Sequence, residues 1–210
     1  MDITRKEKSE LTSREKAVIN LYDMASVLAS AIVTIMVIFT FFFRVVGVSG
    51  SSMVPTLHDG DWLIVSAYDK NPQYGQVVII TQPNWFDEPI VKRIIATENQ
   101  VVDIDFSTGE VSVDGKVLDE PYINNLTLNN EGIDFPLTVP EGHVFVMGDN
   151  RQGSTDSRSD KIGFIAEDYI MGVVKLKPFS VDEMTGSRLK VNPLKEWKVE
   201  KAELNASAEQ

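Results

Sequence analysis

Residues 24–43 read MASVLASAIVTIMVIFTFFF, 20 consecutive positions without a charge. A helix of that length crosses roughly 30 Å of hydrocarbon, so the segment is expected to span a membrane. Only Ser26, Ser30, Thr34 and Thr40 interrupt it, too few to give the helix of a soluble protein its polar face. It does not read as a cleavable signal sequence either. Twenty-three residues precede it, and Arg44-Val45-Val46 stands where a small-residue cleavage pattern would follow. Arg5, Lys6, Lys8, Arg14 and Lys16 lie before the span, and only Arg44 appears after it until Lys70. That bias places the N-terminus on the cytoplasmic side and the rest of the chain outside the cell membrane.

The expected division is a cytoplasmic tail at 1–22, an anchor at 23–47, a β domain at 48–178 and a polar C-terminal tail at 179–210. Beyond Arg44 the chain has 14 Lys and Arg against 26 Asp and Glu, and an exported portion this acidic repels nucleic acid. The chain has no Cys and two His, which removes disulfide frameworks, thiol nucleophiles and Cys-based zinc sites and makes a His-rich metal site a poor prospect. No metal or cofactor is expected.

Short apolar runs bounded by turn residues follow the span: 62–68, 76–81, 90–97, 100–105, 143–148 and 169–177. VSVDGKVL at 111–118 carries Asp114-Gly115 between alternating residues, a two-residue hairpin signal. No 12-residue helical pattern separates consecutive strands, so the fold class is mainly β, an antiparallel folded-over sheet or partly closed barrel. The segment 119–140 is polar, Asn-rich and flanked by Pro, as suits a long surface loop.

Three segments carry reactive groups. GVSGSSMVPTL at 47–57 is either a linker or a rigidly presented hydroxyl, since Pro55 restrains the backbone just after Ser52. IVKRIIA at 90–96 sets Lys92 and Arg93 inside an apolar strand, where one faces in and the other out. Read by itself, the run suits an edge strand with two solvated cations. The alternative is a desolvated Lys92, whose amine loses its proton near neutrality and serves as a base. GDNRQGSTDSRSDKIG at 148–163 is either a solvated loop or a set of hydroxyls, carboxylates and guanidiniums that orients a buried amine.

Together, and in this order behind one span, the three segments closely resemble bacterial type I signal peptidases, Ser-Lys proteases that remove signal peptides from exported preproteins. The resemblance runs from about residue 24 to 178 and rests on Ser52-Met53-Val54-Pro55-Thr56-Leu57, Gly60-Asp61, Lys92-Arg93, Gly148-Asp149-Asn150-Arg151, Ser154, Asp156, Ser157 and Arg158. It implies a catalytic core of two antiparallel sheets, with Ser52 as nucleophile and contributor of an oxyanion N–H, and Lys92 as general base. Ser154 is implied to hold the Lys amine, with Asp156 and Arg158 as structural support, and Gly50 and Met53 lining the substrate cleft. Its implied partners are signal peptides cut after a small-x-small motif, membrane lipid and the neighbouring export machinery. Gly50 stands where some members carry a second, hydroxyl oxyanion donor, and Ala96 with Glu98-Asn99-Gln100 replaces the usual Gly and Pro-Gly-Asp turn. Lys92, rather than a His, sides with the bacterial members, and the single span resembles the Gram-positive form. His58 and His143 are expected to be polar surface groups. Two rivals fit less well: a non-catalytic assembly factor for surface pili would not need both reactive residues, and a soluble self-cleaving repressor would have no span.

Overall fold

Residues 12–66, 71–81 and 88–179 are described by the structure, a computed structural model. The chain divides into two compact units at Phe42/Phe43. The first holds helix α1, Ser13–Phe42, 30 residues and about 45 Å long. Its stretch Lys16–Phe42 is long and apolar enough to cross a membrane, and its large side chains, Leu28, Ile35 and Phe41 among them, are exposed. The hydroxyls turn back on the helix, Ser30 donating to Val27 O at 2.8 Å, Thr34 to Ser30 O at 2.8 Å and Thr40 to Met36 O at 2.7 Å. Each of these polar hydrogens is thus satisfied internally, as an apolar surrounding requires.

At Phe43 the chain changes from helix to strand. β1 (Phe43–Gly47) pairs antiparallel with β2 (Trp62–Ser66) over five residues, from Phe43↔Ser66 to Gly47↔Trp62. The sequence carries the expected anchor to Gly47, whereas β-branched Val45 and Val46 here join a ladder that only the distant β2 supplies. The other strands are β3 (Val77–Ile80), β4 (Ile90–Ala96), β5 (Val101–Asp105), β6 (Glu110–Val113), β7 (Lys116–Val117), β8 (Leu137–Thr138), β9 (His143–Met147), β10 (Ile165–Ala166) and β11 (Ile170–Phe179). All pair antiparallel, in a seven-stranded sheet ordered β1-β2-β11-β3-β4-β9-β10 and a four-stranded sheet ordered β7-β6-β5-β8. The mainly β, antiparallel expectation therefore holds. Strands β1, β8 and β10 are additions to it. Ala67 and Tyr68 of the expected 62–68 run, residues 1–11 of the N-terminal tail and residues 180–210 of the C-terminal tail lie outside the described residues.

β3 is buried at all four positions because the large sheet is covered on both faces, which explains a VVII run without alternation. Val77 and Ile79 pack with Met53, Leu57, Leu63, Val65 and Val174 in one core, while Val78 and Ile80 pack with Ile94, Val146, Ile165 and Val173 in a second. A third core joins the sheets through Ile95, Val102, Val111, Phe145 and Met147, bordered by edge-on contacts of Phe106 with Phe135 and of Phe135 with Phe145. The register of β4 on β9 shifts between Ile94 and Ala96, and that bulge lets one strand serve two cores. The expected hairpin turn forms, with Asp114 at φ 53° and Gly115 at φ 77°.

Candidate active site

The turn bearing Ser52 is closed at its neck and pinned from below. Val48 N–H donates to Asp61 O at 2.8 Å and Gly60 N–H to Val48 O at 2.9 Å. Within the turn, the N–H groups of Thr56 and Leu57 both donate to Met53 O at 2.9 Å. Met53 and Leu57 are buried in the first core, so the apolar residues of this segment anchor it while Ser52 stays partly accessible. Gly50 has φ +93°, a conformation that costs other residues strain, and its N–H donates to Asp59 Oδ1 at 2.8 Å. From beneath, Asp61 Oδ2 accepts His58 N–H at 2.8 Å and the Lys177 ammonium at 3.1 Å. A loop so constrained is no linker.

Lys92 sits on β4, which lies between β3 and β9, and only 3% of it is exposed. The solvated-edge reading of this strand is thereby corrected: both flanks of β4 are paired, and both cations are buried. Lys92 Nζ lies 2.9 Å from Ser52 Oγ, donating to it when protonated. Burial pulls the Lys92 amine down to about 8, because the ammonium loses hydration; Asp156 opposes that fall and Arg158 adds to it. The opposite face of the strand carries Arg93, which donates through Nε to Asp149 Oδ1 at 2.7 Å, reaches Gly75 O at 2.8 Å and stacks 3.9 Å from the Tyr122 ring centre. Alternation thus sends the amine to the serine and the guanidinium to a structural ion pair.

In the segment 148–163 the polar residues Asp149, Arg151, Ser154, Asp156, Ser157 and Arg158 are likewise buried, while Gln152, Thr155, Asp160 and Lys161 face solvent. Asp156 Oδ2 accepts Gly148 N–H at 2.9 Å, and its carboxylate takes both Nε and Nη2 of Arg158 at 2.8 and 2.9 Å. Ser157 stitches the segment to β9 by two bonds with Val146, each 3.1 Å. Gly148 is required by sterics, since a Cβ there would lie 2.2 Å from Ser154 Oγ and 2.5 Å from Ser52 O. Ser154 is buried against this glycine, and its hydroxyl has no hydrogen-bond partner among the described residues. The implied bond from Ser154 to the Lys92 amine is therefore not formed here; the amine is engaged by Ser52.

Sequence reasoning assigns no role to several further residues. Asn150 grips the turn bearing Ser52 twice, its N–H donating to Ser52 O at 3.0 Å and its Nδ2 to Ser51 O at 3.1 Å. Arg151 ties Gly148 O at 3.1 Å to Glu120 Oε2 and Thr127 Oγ1 at 2.8 and 2.7 Å. Glu131 lies 3.3 Å from Arg158. Asn150 and Arg151 stand inside the resemblance motif, but Glu120 and Glu131 come from the polar loop, where no local signal marks a carboxylate that folds inward. His143 Nδ1 contacts Glu141 O at 2.8 Å, at the start of β9. The Glu98-Asn99-Gln100 turn closes through Gln100 Oε1, which accepts Thr97 N–H at 2.9 Å, with Asn99 at φ 64°. Among the described residues no group of three or more His, Asp or Glu is placed to hold a metal ion.

The profile of the family described as "Signal peptidase, peptidase S26" matches residues 21–179. Signal peptidase I T of Bacillus subtilis strain 168 is 36% identical over 189 residues, covering 84% of this chain and 94% of its own. A signal peptidase I of Bacillus amyloliquefaciens is 34% identical over 189 residues, covering 85% of this chain and 97% of its own. Among solved structures, a signal peptidase I of Enterococcus faecalis V583 matches at 30% identity and TM-score 0.41, over 49% of this chain and 96% of that one. With most of its length matched, the chain belongs to the signal peptidase family, peptidase S26. It is accordingly a serine endopeptidase of the signal peptidase I type.

Proposed function

We propose that this chain removes N-terminal signal peptides from exported preproteins, with Ser52 as nucleophile and Lys92 as general base. The observation that carries the reading is the 2.9 Å contact between a buried amine and the Ser52 hydroxyl. A neutral Lys92 accepts the Ser52 proton as Oγ attacks the scissile carbonyl, and the Ser52 backbone N–H supports the developing oxyanion. Lys92 then passes its proton to the departing amine of the mature protein, leaving the signal peptide joined through its last carbonyl as an ester to Ser52 Oγ. In the second half Lys92 takes a proton from water, whose oxygen attacks the ester, and returns that proton to Ser52 Oγ as the signal peptide leaves with a free carboxyl end. Gly50 and Met53 belong to the cleft that receives small residues at the first and third positions before the cut. Ser154 takes up the amine once Ser52 is acylated and no longer engages it, and the Asp156–Arg158 pair holds the segment carrying Ser154.

Helix α1 is the anchor, with the N-terminus cytoplasmic and residues 48–178 on the extracytoplasmic side, among lipid and beside the export machinery. Ser52 follows Phe43 by nine residues, so the tether keeps the nucleophile at the membrane where a preprotein's own apolar segment ends. The test is cleavage of a model preprotein by the detergent-purified full chain beside Ser52→Ala, with the new N-terminus read by mass spectrometry. A Ser52-dependent cut after a small-x-small site is expected. No cut of several preproteins by folded protein would overturn the reading.

A further inference from the structure

The turn bearing Ser52 and the segment after β9 meet at Asn150 as well as at Gly148. Ser51 O accepts Asn150 Nδ2 at 3.1 Å and Val54 N–H at 3.2 Å, and Ser52 O accepts Asn150 N–H at 3.0 Å. The side-chain contact bears on the reaction because the Ser51 carbonyl and the Ser52 N–H belong to one planar peptide unit. That unit is trans, so its C=O and its N–H point in opposite directions. A donor that holds Ser51 O from behind therefore fixes where the Ser52 N–H points. A hydrogen bond accepted at the carbonyl also polarises the amide and makes its N–H the stronger donor.

Asn150 is itself held in place. Its O accepts Gly153 N–H at 3.0 Å, and a Cβ on Gly153 would lie 2.5 Å from Asn150 Nδ2 and 2.9 Å from Asn150 Cγ. The amide thus packs where position 153 carries no side chain. At position 50 there is no hydroxyl, and the Gly50 N–H is engaged by Asp59 Oδ1 at 2.8 Å, which leaves the Ser52 N–H as the assigned oxyanion donor. We propose that Asn150 is a positioning residue of the peptidase, standing behind the Ser51–Ser52 peptide and aiming the Ser52 N–H at the oxygen that gains charge. The inference rests on Ser52 being the nucleophile and its N–H the oxyanion donor. Asn150 lies on the side of that peptide away from the reacting oxygen, so it acts on the transition state without touching substrate.

The experiment uses the full chain in detergent and compares wild type with Asn150→Ala, Gly153→Ala and the double variant. It measures kcat and KM for preprotein cleavage, and the inhibition constants of one signal-peptide segment made with a C-terminal aldehyde or a C-terminal alcohol. Ser52 Oγ adds to the aldehyde carbon, the C=O electron pair moves onto the oxygen and the Oγ proton passes to Lys92, so the adduct carries an oxyanion; the alcohol fills the same cleft without one. Removing a direct oxyanion donor costs about 10²–10³ in kcat, and losing the group that aims it is expected to cost about tenfold, with KM nearly unchanged. Aldehyde binding weakens by about the same factor in Asn150→Ala, and alcohol binding by less than about twofold. In Gly153→Ala the new Cβ pushes the amide aside, which gives the same pattern with Asn150 present and serves where Asn150→Ala does not fold. The double variant loses no more than Asn150→Ala alone, because both changes remove one contact. Equal weakening of aldehyde and alcohol, an unchanged kcat, or losses that multiply in the double variant overturns the inference and leaves Ser52 as nucleophile. Cleavage that persists in Ser52→Ala overturns the nucleophile assignment, and this inference with it.

Discussion

Lys92 ionises near 8 because the folded chain strips water from its ammonium more than neighbouring carboxylates compensate. With Lys92 as the proposed base, cleavage uses the neutral amine, so kcat/KM is expected to climb with pH along a limb centred near 8 and then level off. A rate profile measured from pH 6 to 10 checks this, and a flat profile well below neutrality would sink it. Lys92→Met keeps the packing but removes the proposed base, with an expected loss of at least about a thousandfold in kcat. Lys92→Arg should be as inactive, since a guanidinium stays charged at every working pH. The sequence of β4 taken alone favours a solvated cation at Lys92, with a buried base as the alternative. The flanking residues are the same in both cases, and only the pairing on each side of β4 distinguishes them.

The site is assembled from three separate elements: the turn after β1, the middle of β4, and the segment after β9. The first and third of these meet at Gly148, where Ser154 Oγ and Ser52 O converge on the space a side chain would fill. Gly148→Ala should leave the sheet intact at a cost of about 1–3 kcal/mol, while preprotein cleavage falls more than about tenfold as Ser52 is displaced. Thermal unfolding and kcat, compared in the same preparation, separate the two effects. On the other face of β4, Asp149→Ala leaves Arg93 buried without its carboxylate, and the expected loss is about 3–5 kcal/mol, read as a lowered Tm. The strands themselves are mostly legible from apolar runs between turn residues, and the Asp114-Gly115 hairpin from its dipeptide alone. β1, β8 and β10 are not, because short strands are defined by the partner they find, and β8 and β10 have two residues each.

At the scale of the molecule, the buried Lys92 amine is a standing cost to stability. The folded ionisation near 8 lies below the usual value of about 10.4 in an unfolded chain. The cost is present in full below pH 8 and is relieved as pH rises from 8 to about 10.4, amounting to about 3 kcal/mol. Lys92→Met is therefore expected to be more stable than wild type at pH 7, with the gap closing toward pH 10.5. Denaturant unfolding of both proteins across that range checks the sign, and a gap independent of pH would contradict it. The sequence by itself determined the uncharged 20-residue segment, the antiparallel β class and the order of the motif residues. These are local properties, fixed by composition and period along the chain. The tertiary structure alone decided which cations are buried, which carboxylate each one meets, and that Glu120 and Glu131 turn inward from a polar loop. Desolvation and ion pairing depend on residues as far apart as Arg93 and Asp149, 56 positions along the chain, and nothing local in the sequence encodes that meeting.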